Sequence, residues 1–263
     1  MPNKFVLGVC GDSWMQPDFV IHKNTHFTQL LCEEFNWRHN CYARTGASVG
    51  HICLQIEQAI EDKVDLILFG TTPYNRIEYN ANDMIDKTGY NWDKFPKITL
   101  RDMGGPSPIL TDPEYPNYND SNFQYSLISD NLTGLLSYGF TENFVYQIIN
   151  YAKLDRDDAK IKHKAIEEWF KHIYNPAWKL MLDRWCLYAV LHKAYKAEIP
   201  CVCVIDFTGI EDLYWLDKPV LGEKWLKDFR VPPNSPGYHT SIEQQKEILQ
   251  DVKNRLKTMG IIE

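Results

Sequence analysis

The sequence predicts an α/β protein built on a doubly wound parallel sheet. Three observations carry this expectation. Short apolar runs of strand length alternate with segments of helical periodicity from the amino terminus onward, and each of the first runs gives way to a glycine-bearing turn. A further run dense in Val, Ile and Cys then returns late in the chain, before a closing amphipathic helix. In such a sheet ligands bind outside the carboxyl ends of the strands, so the turns after the strands are where chemistry is sought.

The elements follow in order. Residues 5–10 are apolar and stop at Gly11, as a buried strand entering a turn does. A helix is expected over about 25–36, where Phe27, Leu30, Leu31 and Phe35 recur at helical spacing and Asn24 or Thr25 stands at the cap. Residues 41–44 are expected as the second strand, running into the turn RTGASVG, and 52–60 as the second helix. DLILF, residues 65–69, reads as the third strand and ends at Gly70. From about 79 to 137 the periodicity gives way to Asn, Asp, Pro, Gly and Tyr over a stretch far longer than an ordinary connection. One domain spanning 1–263 is therefore expected, with 79–137 as an irregular insertion or lid. Helices are expected again near 141–152, 157–174 and 176–197, then a fourth strand over 199–207, IPCVCVIDF. The last helix, about 241–259, places Ile242, Leu249, Val252 and Leu256 on one face and opens on two overlapping capping boxes, Ser241 with Gln244 and Thr240 with Glu243.

Composition narrows the function classes. With 44% hydrophobic and 24% charged residues the chain has the make-up of a soluble globular protein. No apolar run approaches the roughly 18 to 20 residues of a membrane span. The amino terminus carries no secretory signal, so a cytoplasmic location is expected. The 7 cysteines are odd in number, show no Cys-x-x-Cys pair, and read as reduced core residues. A net charge of −7 without a basic cluster argues against nucleic acid. No glycine-rich phosphate cradle is evident, and His22 with His26 lack a third ligand, so no cofactor and no metal are expected.

What remains is the chemistry of the turns. Ser13 follows the first strand in GVCGDSWMQP, Gly46 and Ser48 follow the second, Thr71 and Thr72 the third, and His239 precedes the last helix. Acyl transfer needs a nucleophile, a base that takes its proton and donors aimed at the developing oxyanion, and residue types for all three roles are present. Each residue also has a plainer reading. Ser13 is then a turn serine, His239 a loop residue before a helix, and Gly46 a positive-φ position. Arg76 is a surface ion-pairing group, and Asp206 an acceptor for local backbone N–H groups. The aromatic residues Trp92, Tyr115, Tyr118, Phe123 and Tyr125 of the insertion suit either stacking on sugar rings or the insertion's own core.

Gly11-Asp12-Ser13 after the first strand, Gly46 after the second, Gly70 after the third and His239 before the final helix together resemble the SGNH/GDSL hydrolase family. The resemblance covers about residues 4–78 and 198–259. It implies a flavodoxin-like three-layer α/β/α sandwich and a serine-dependent esterase or O-acyl hydrolase, carbohydrate O-acetyl groups included. By the resemblance Ser13 is the nucleophile and an oxyanion donor, Gly46 a second donor and His239 the base. Two positions depart from the family pattern. The third block, normally Gly-x-Asn-Asp, has Thr72 and Pro73 at its last two positions, which leaves Thr72 or Arg76 to complete the oxyanion contacts. Divergent members, many from phage, carry a Thr/Ser-Pro-x-x-Arg block that Thr72 to Arg76 resembles, which points to a virus-encoded enzyme. In the last block Pro236 stands where the family has Asp, and Asp206 is the substitute acid, with Asp212 next. The resemblance thus implies a small-molecule or carbohydrate ester substrate handled by a Ser-His dyad or triad. The two departures motivate the alternative, a binding or structural protein that kept the fold and lost catalysis.

Overall fold

The computed structural model describes residues 4–12, 14–17, 25–43, 47–72, 168, 172–210, 216 and 242–263. The elements in chain order are β1 (Val6–Cys10), α1 (Phe27–Phe35), β2 (Arg38–Cys41), α2 (Val49–Glu61), β3 (Leu66–Gly70), α3 (Pro176–Lys196), β4 (Cys201–Ile205) and α4 (Ile242–Thr258). The predicted insertion over 79–137, the helix over 141–152, most of the helix over 157–174 and both capping boxes lie outside the described residues. The chain divides into two compact units, one of Met1–Thr72 with Arg184–Glu263 and one of Pro73–Asp183. All four strands belong to the first.

The strands form one sheet in the order β2-β1-β3-β4, and every pairing is parallel. Val6 to Val9 pair with Arg38 to Cys41, and Leu7 to Cys10 with Leu66 to Phe69. Ile67 pairs with Cys201, and an irregularity between Phe69 and Gly70 shifts the last partner of β3 to Ile205. From β1 the chain steps outward to β2 and then back across to β3 on the other side, so the strand order reverses between β1 and β3. The protein is therefore α/β with an all-parallel sheet, an arrangement compatible with a flavodoxin-like fold. The central strands have the continuous apolar character expected of strands covered on both faces. β3, for example, is buried at every position.

One face of the sheet carries Leu7, Val9, Leu66, Leu68, Val202 and Val204. They pack with Phe27, Leu31 and Cys32 of α1 and with Ile248, Val252 and Leu256 of α4 in a single buried cluster. Such side chains each contribute about 1.5 to 3 kcal/mol when fully removed from water, so this layer is the main stabilising mass of the sheet unit. On the other face α2 lies against β1. Gly8 makes that approach possible, because a Cβ there would come within 3.1 Å of the Val64 side chain and 3.4 Å of Ala59. An ion pair between Lys193 and Glu57 joins α3 to α2.

Three sequence expectations are corrected. The second strand is not at 41–44 but at Arg38–Cys41. Among the described residues it lies at the sheet edge and pairs with β1 alone, so Arg38, His39 and Asn40 are tolerated there and an apolar-run criterion passes over them. The cap of α1 is His26, whose side chain accepts the Thr28 N–H, and not Asn24 or Thr25. The second helix begins at Val49, ahead of the expected 52, because the Ser48 side chain caps it by accepting the His51 N–H.

All seven cysteines are free thiols. Burial pushes the Cys201 thiol up to about 12, and burial with the neighbouring Glu33 does the same for Cys32, so neither is a thiolate at neutral pH. Cys186, expected in the core with the rest, is exposed on α3. Among the described residues no helix is long and apolar enough to cross a membrane.

Candidate functional site

The strand ends on either side of the β1/β3 reversal are built to come close. Gly11 adopts φ 145°, and a Cβ on it would collide with the Met15 side chain and come within 3.1 Å of the Gly70 carbonyl oxygen. Only glycine fits there. A Cβ on Gly70 would lie 2.9 Å from Met15 Cγ. Met15, fully buried, therefore folds back over both glycines and plugs the seam between the two strands. The turn that brings it there is local, since the Asp12 carbonyl accepts the Met15 and Gln16 N–H groups, both at 3.1 Å.

Three partners from other elements fix this turn. From α2, Gln55 Oε1 accepts the Gly11 N–H at 2.6 Å. That donor sets the orientation of the Gln55 amide, and the Nε2 on its other side is buried with no hydrogen-bond partner among the described residues. From the end of β3, the Thr72 hydroxyl donates to Asp12 Oδ2 at 3.1 Å, while Asp12 Oδ1 accepts the Trp14 N–H at 3.0 Å. The Asp12 carboxylate is wholly buried. A buried carboxylate is tolerated only when donors surround it, and here they come from both sides of the strand reversal. From α1, His26 Nε2 lies 3.2 Å from the Trp14 carbonyl oxygen.

The third strand serves its other neighbour through the preceding residue. Thr71 and Thr72 are consecutive, and their hydroxyls reach partners on opposite sides of β3. While Thr72 reaches Asp12 beyond β1, the Thr71 hydroxyl donates to Asp206 Oδ1 at 3.2 Å beyond β4 and accepts the Phe207 N–H at 2.6 Å. Asp206 also gathers its own loop. Oδ1 accepts the Thr208 N–H at 2.7 Å, the Thr208 hydroxyl at 2.9 Å and the Gly209 N–H at 3.0 Å, and Oδ2 accepts the Ile210 N–H at 2.8 Å. Gly209 has φ 67°, and Arg184 donates through Nε to the Thr208 carbonyl.

A buried polar chain runs behind the first turn. His26 Nδ1 is 2.8 Å from Thr28 Oγ1, and the same oxygen is 3.0 Å from His39 Nε2 on β2. Burial lowers the His39 imidazole to about 4, so it is neutral at neutral pH.

Of the residues given a catalytic or oxyanion role from the sequence, Thr72 and Asp206 are described, just beyond β3 and β4. Ser13, Gly46, Arg76 and His239 lie outside the described residues, as does the runner-up acid Asp212. The chain neighbours of Ser13, Asp12 and Trp14, are placed and tied down as above. Thr72 is drawn to Asp12 and Asp206 to its own loop and Thr71, so the two do not share a partner. Sequence reasoning missed Asp12, Thr71, Gln55 and His26 as organisers of the strand ends. The paired threonines directly after a buried strand were the one local signal for them. Among the described residues no cluster of three or more His, Cys, Asp or Glu side chains could hold a metal ion.

The arrangement fixes the main chain on both sides of position 13 at the mouth of the sheet, with a carboxylate one residue ahead of it. Comparison of the chain with protein-family models, characterised proteins and solved structures yields no match.

Proposed function

We propose that this chain is a serine-dependent hydrolase of ester or O-acyl bonds, of the SGNH type, with the three-layer sandwich that type implies. The observation that carries the reading is the turn at Gly11 and Asp12. It lies at the carboxyl end of β1, beside the reversal of strand order where α/β sheets bind ligands, and the residue it delivers next is Ser13. In this reading Ser13 attacks the acyl carbon while His239 takes its proton, the N–H groups of Ser13 and Gly46 hold the oxyanion, and His239 then protonates the leaving alcohol. Water repeats the sequence and frees the acid.

The hydrogen bonds support two further assignments within this reading. The Thr72 hydroxyl proton is committed to Asp12, so of the two residues put forward for the remaining oxyanion contact Arg76 carries it. Asp206 is the acid for His239. Among the described residues its Oδ1 accepts four hydrogen bonds and Oδ2 one, and a carboxylate oxygen with one bond retains a lone pair for an imidazole N–H.

The alternative, a binding protein on the same fold, is favoured by the same Thr72 contact, since a hydroxyl used for structure is lost to catalysis. Fluorophosphonate labelling decides between them. Stoichiometric modification of the purified protein that vanishes in Ser13→Ala, with release of acetate from simple aryl esters, is the expected result. Absence of both labelling and ester cleavage would overturn the hydrolase reading and leave the binding one standing.

A further inference from the structure

We infer that His26 is a positioning residue, whose imidazole, held in the Nε2–H tautomer by Thr28 and His39, pins the carbonyl of Trp14, the residue that follows Ser13 in the chain. For its catalytic consequence this rests on the reading of Ser13 as the nucleophile; for its geometry it does not.

The tautomer follows from which atoms can donate. A carbonyl oxygen only accepts, so His26 Nε2, 3.2 Å from the Trp14 oxygen, carries the hydrogen. In the neutral ring Nδ1 is then an acceptor, which is also what capping α1 requires, since it faces the Thr28 N–H at 3.4 Å. Nδ1 accepts a hydrogen bond from the Thr28 hydroxyl at 2.8 Å. With its single proton spent, Thr28 Oγ1 can only accept from His39 Nε2 at 3.0 Å. The donors therefore all point one way, from His39 through Thr28 and His26 to the turn after β1. His26 and Thr28 are both fully buried, so reversing any member leaves two donors or two acceptors facing each other out of water.

His26 thus does two separable things. Nδ1 holds the start of α1 and Nε2 holds the turn. The second matters because acyl transfer is sensitive to sub-ångström placement of the attacking group. Asparagine at position 26 separates the two roles. Its Oδ1 occupies the place of Nδ1 and is a preferred helix cap, but no atom reaches the Trp14 carbonyl.

The test uses the full-length protein. Long-range proton–nitrogen spectra of the imidazole rings are expected to show Nε2–H at both His26 and His39. In His26→Asn, hydrogen exchange at Met15 and Gln16, whose amides close the turn, is expected to accelerate roughly tenfold while the amides of α1 keep their protection. The variant is expected to lose roughly tenfold in kcat with KM little changed. An Nδ1–H tautomer in the wild type, or unchanged exchange at Met15 and Gln16 in His26→Asn, overturns the inference. If both structural readouts hold while the wild-type protein neither labels nor cleaves esters, the positioning of the turn stands and it is the nucleophile reading that falls.

Discussion

Asp12 and Asp206 close the two strands that flank β3, and each takes a hydroxyl from one of the paired threonines at its end, yet they hold their loops by different means. Of the five hydrogen bonds Asp206 accepts, four come from residues 208 to 210. The loop after β4 closes on itself. The turn after β1 also has local hydrogen bonds to Asp12, but it leans in addition on Gln55 of α2, Thr72 just after β3 and His26 at the cap of α1. A self-closing loop is set as soon as its few residues meet, whereas a turn held by three distant partners is set only when the sheet and both its helix layers are assembled. The turn that delivers Ser13 is of the second kind, so its geometry is as rigid as the core behind it and as sensitive to that core.

The sharpest way to break the comparison is to add a methyl group to each loop's special glycine. Gly11→Ala forces a positive φ on alanine and drives its Cβ into Met15 and the Gly70 carbonyl, so a loss of about 3 to 5 kcal/mol is expected in urea or thermal unfolding. Gly209→Ala meets only the flexible end of Arg184, so about 1 to 2 kcal/mol is expected. A larger loss at Gly209 would reverse the ranking of the two loops.

Acid offers a second test. In the fold the His39 imidazole is lowered from 6.5 to about 4 by burial, so between those values the unfolded chain binds a proton that the folded chain refuses. Its contribution is complete above pH 6.5 and falls away as the pH drops toward 4, to a total of up to about 3 kcal/mol. Urea midpoints at pH 7 and pH 4.5 measure this, and His39→Gln should flatten the difference. Because His39 stands at the head of the chain that reaches Trp14, protection factors at Met15 and Gln16 should fall with acid more than those at Gly209 and Ile210. Equal losses in both loops would show that the histidine chain does not support the first one.

The smallest expected contrast separates the threonines. Thr72→Val removes a donor from a wholly buried carboxylate and should cost about 2 kcal/mol. Thr71→Val leaves Asp206 four donors and the Phe207 N–H without its acceptor, for about 1 kcal/mol. Chemical denaturation of the two variants side by side resolves the order.

Much of the fold was legible because the central strands are covered on both faces and so appear in the sequence as unbroken apolar runs ending at Gly11 and Gly70. β2 was misplaced because an edge strand has no such constraint, and RHNC carries a polar signature. The cap of α1 was misread because histidine is not a common capping residue, and its use here depends on Thr28 and Trp14 lying where they do. At the site, the two sequence readings of Asp206 were acid or local backbone acceptor. The second is what its four local hydrogen bonds display, and Oδ2 keeps room for the first.

By itself the sequence determined the α/β alternation and the positions of β1, β3 and β4, because these depend on residues within a few positions of one another. Only the tertiary structure decided what holds the turn before Ser13. Gly11 meets Gln55 across 44 positions and Thr72 meets Asp12 across 60. Those meetings are created by the parallel registers of β1 with its neighbours and by the packing of α1 and α2 on opposite faces, and such distances leave no periodicity in the chain from which they could be read.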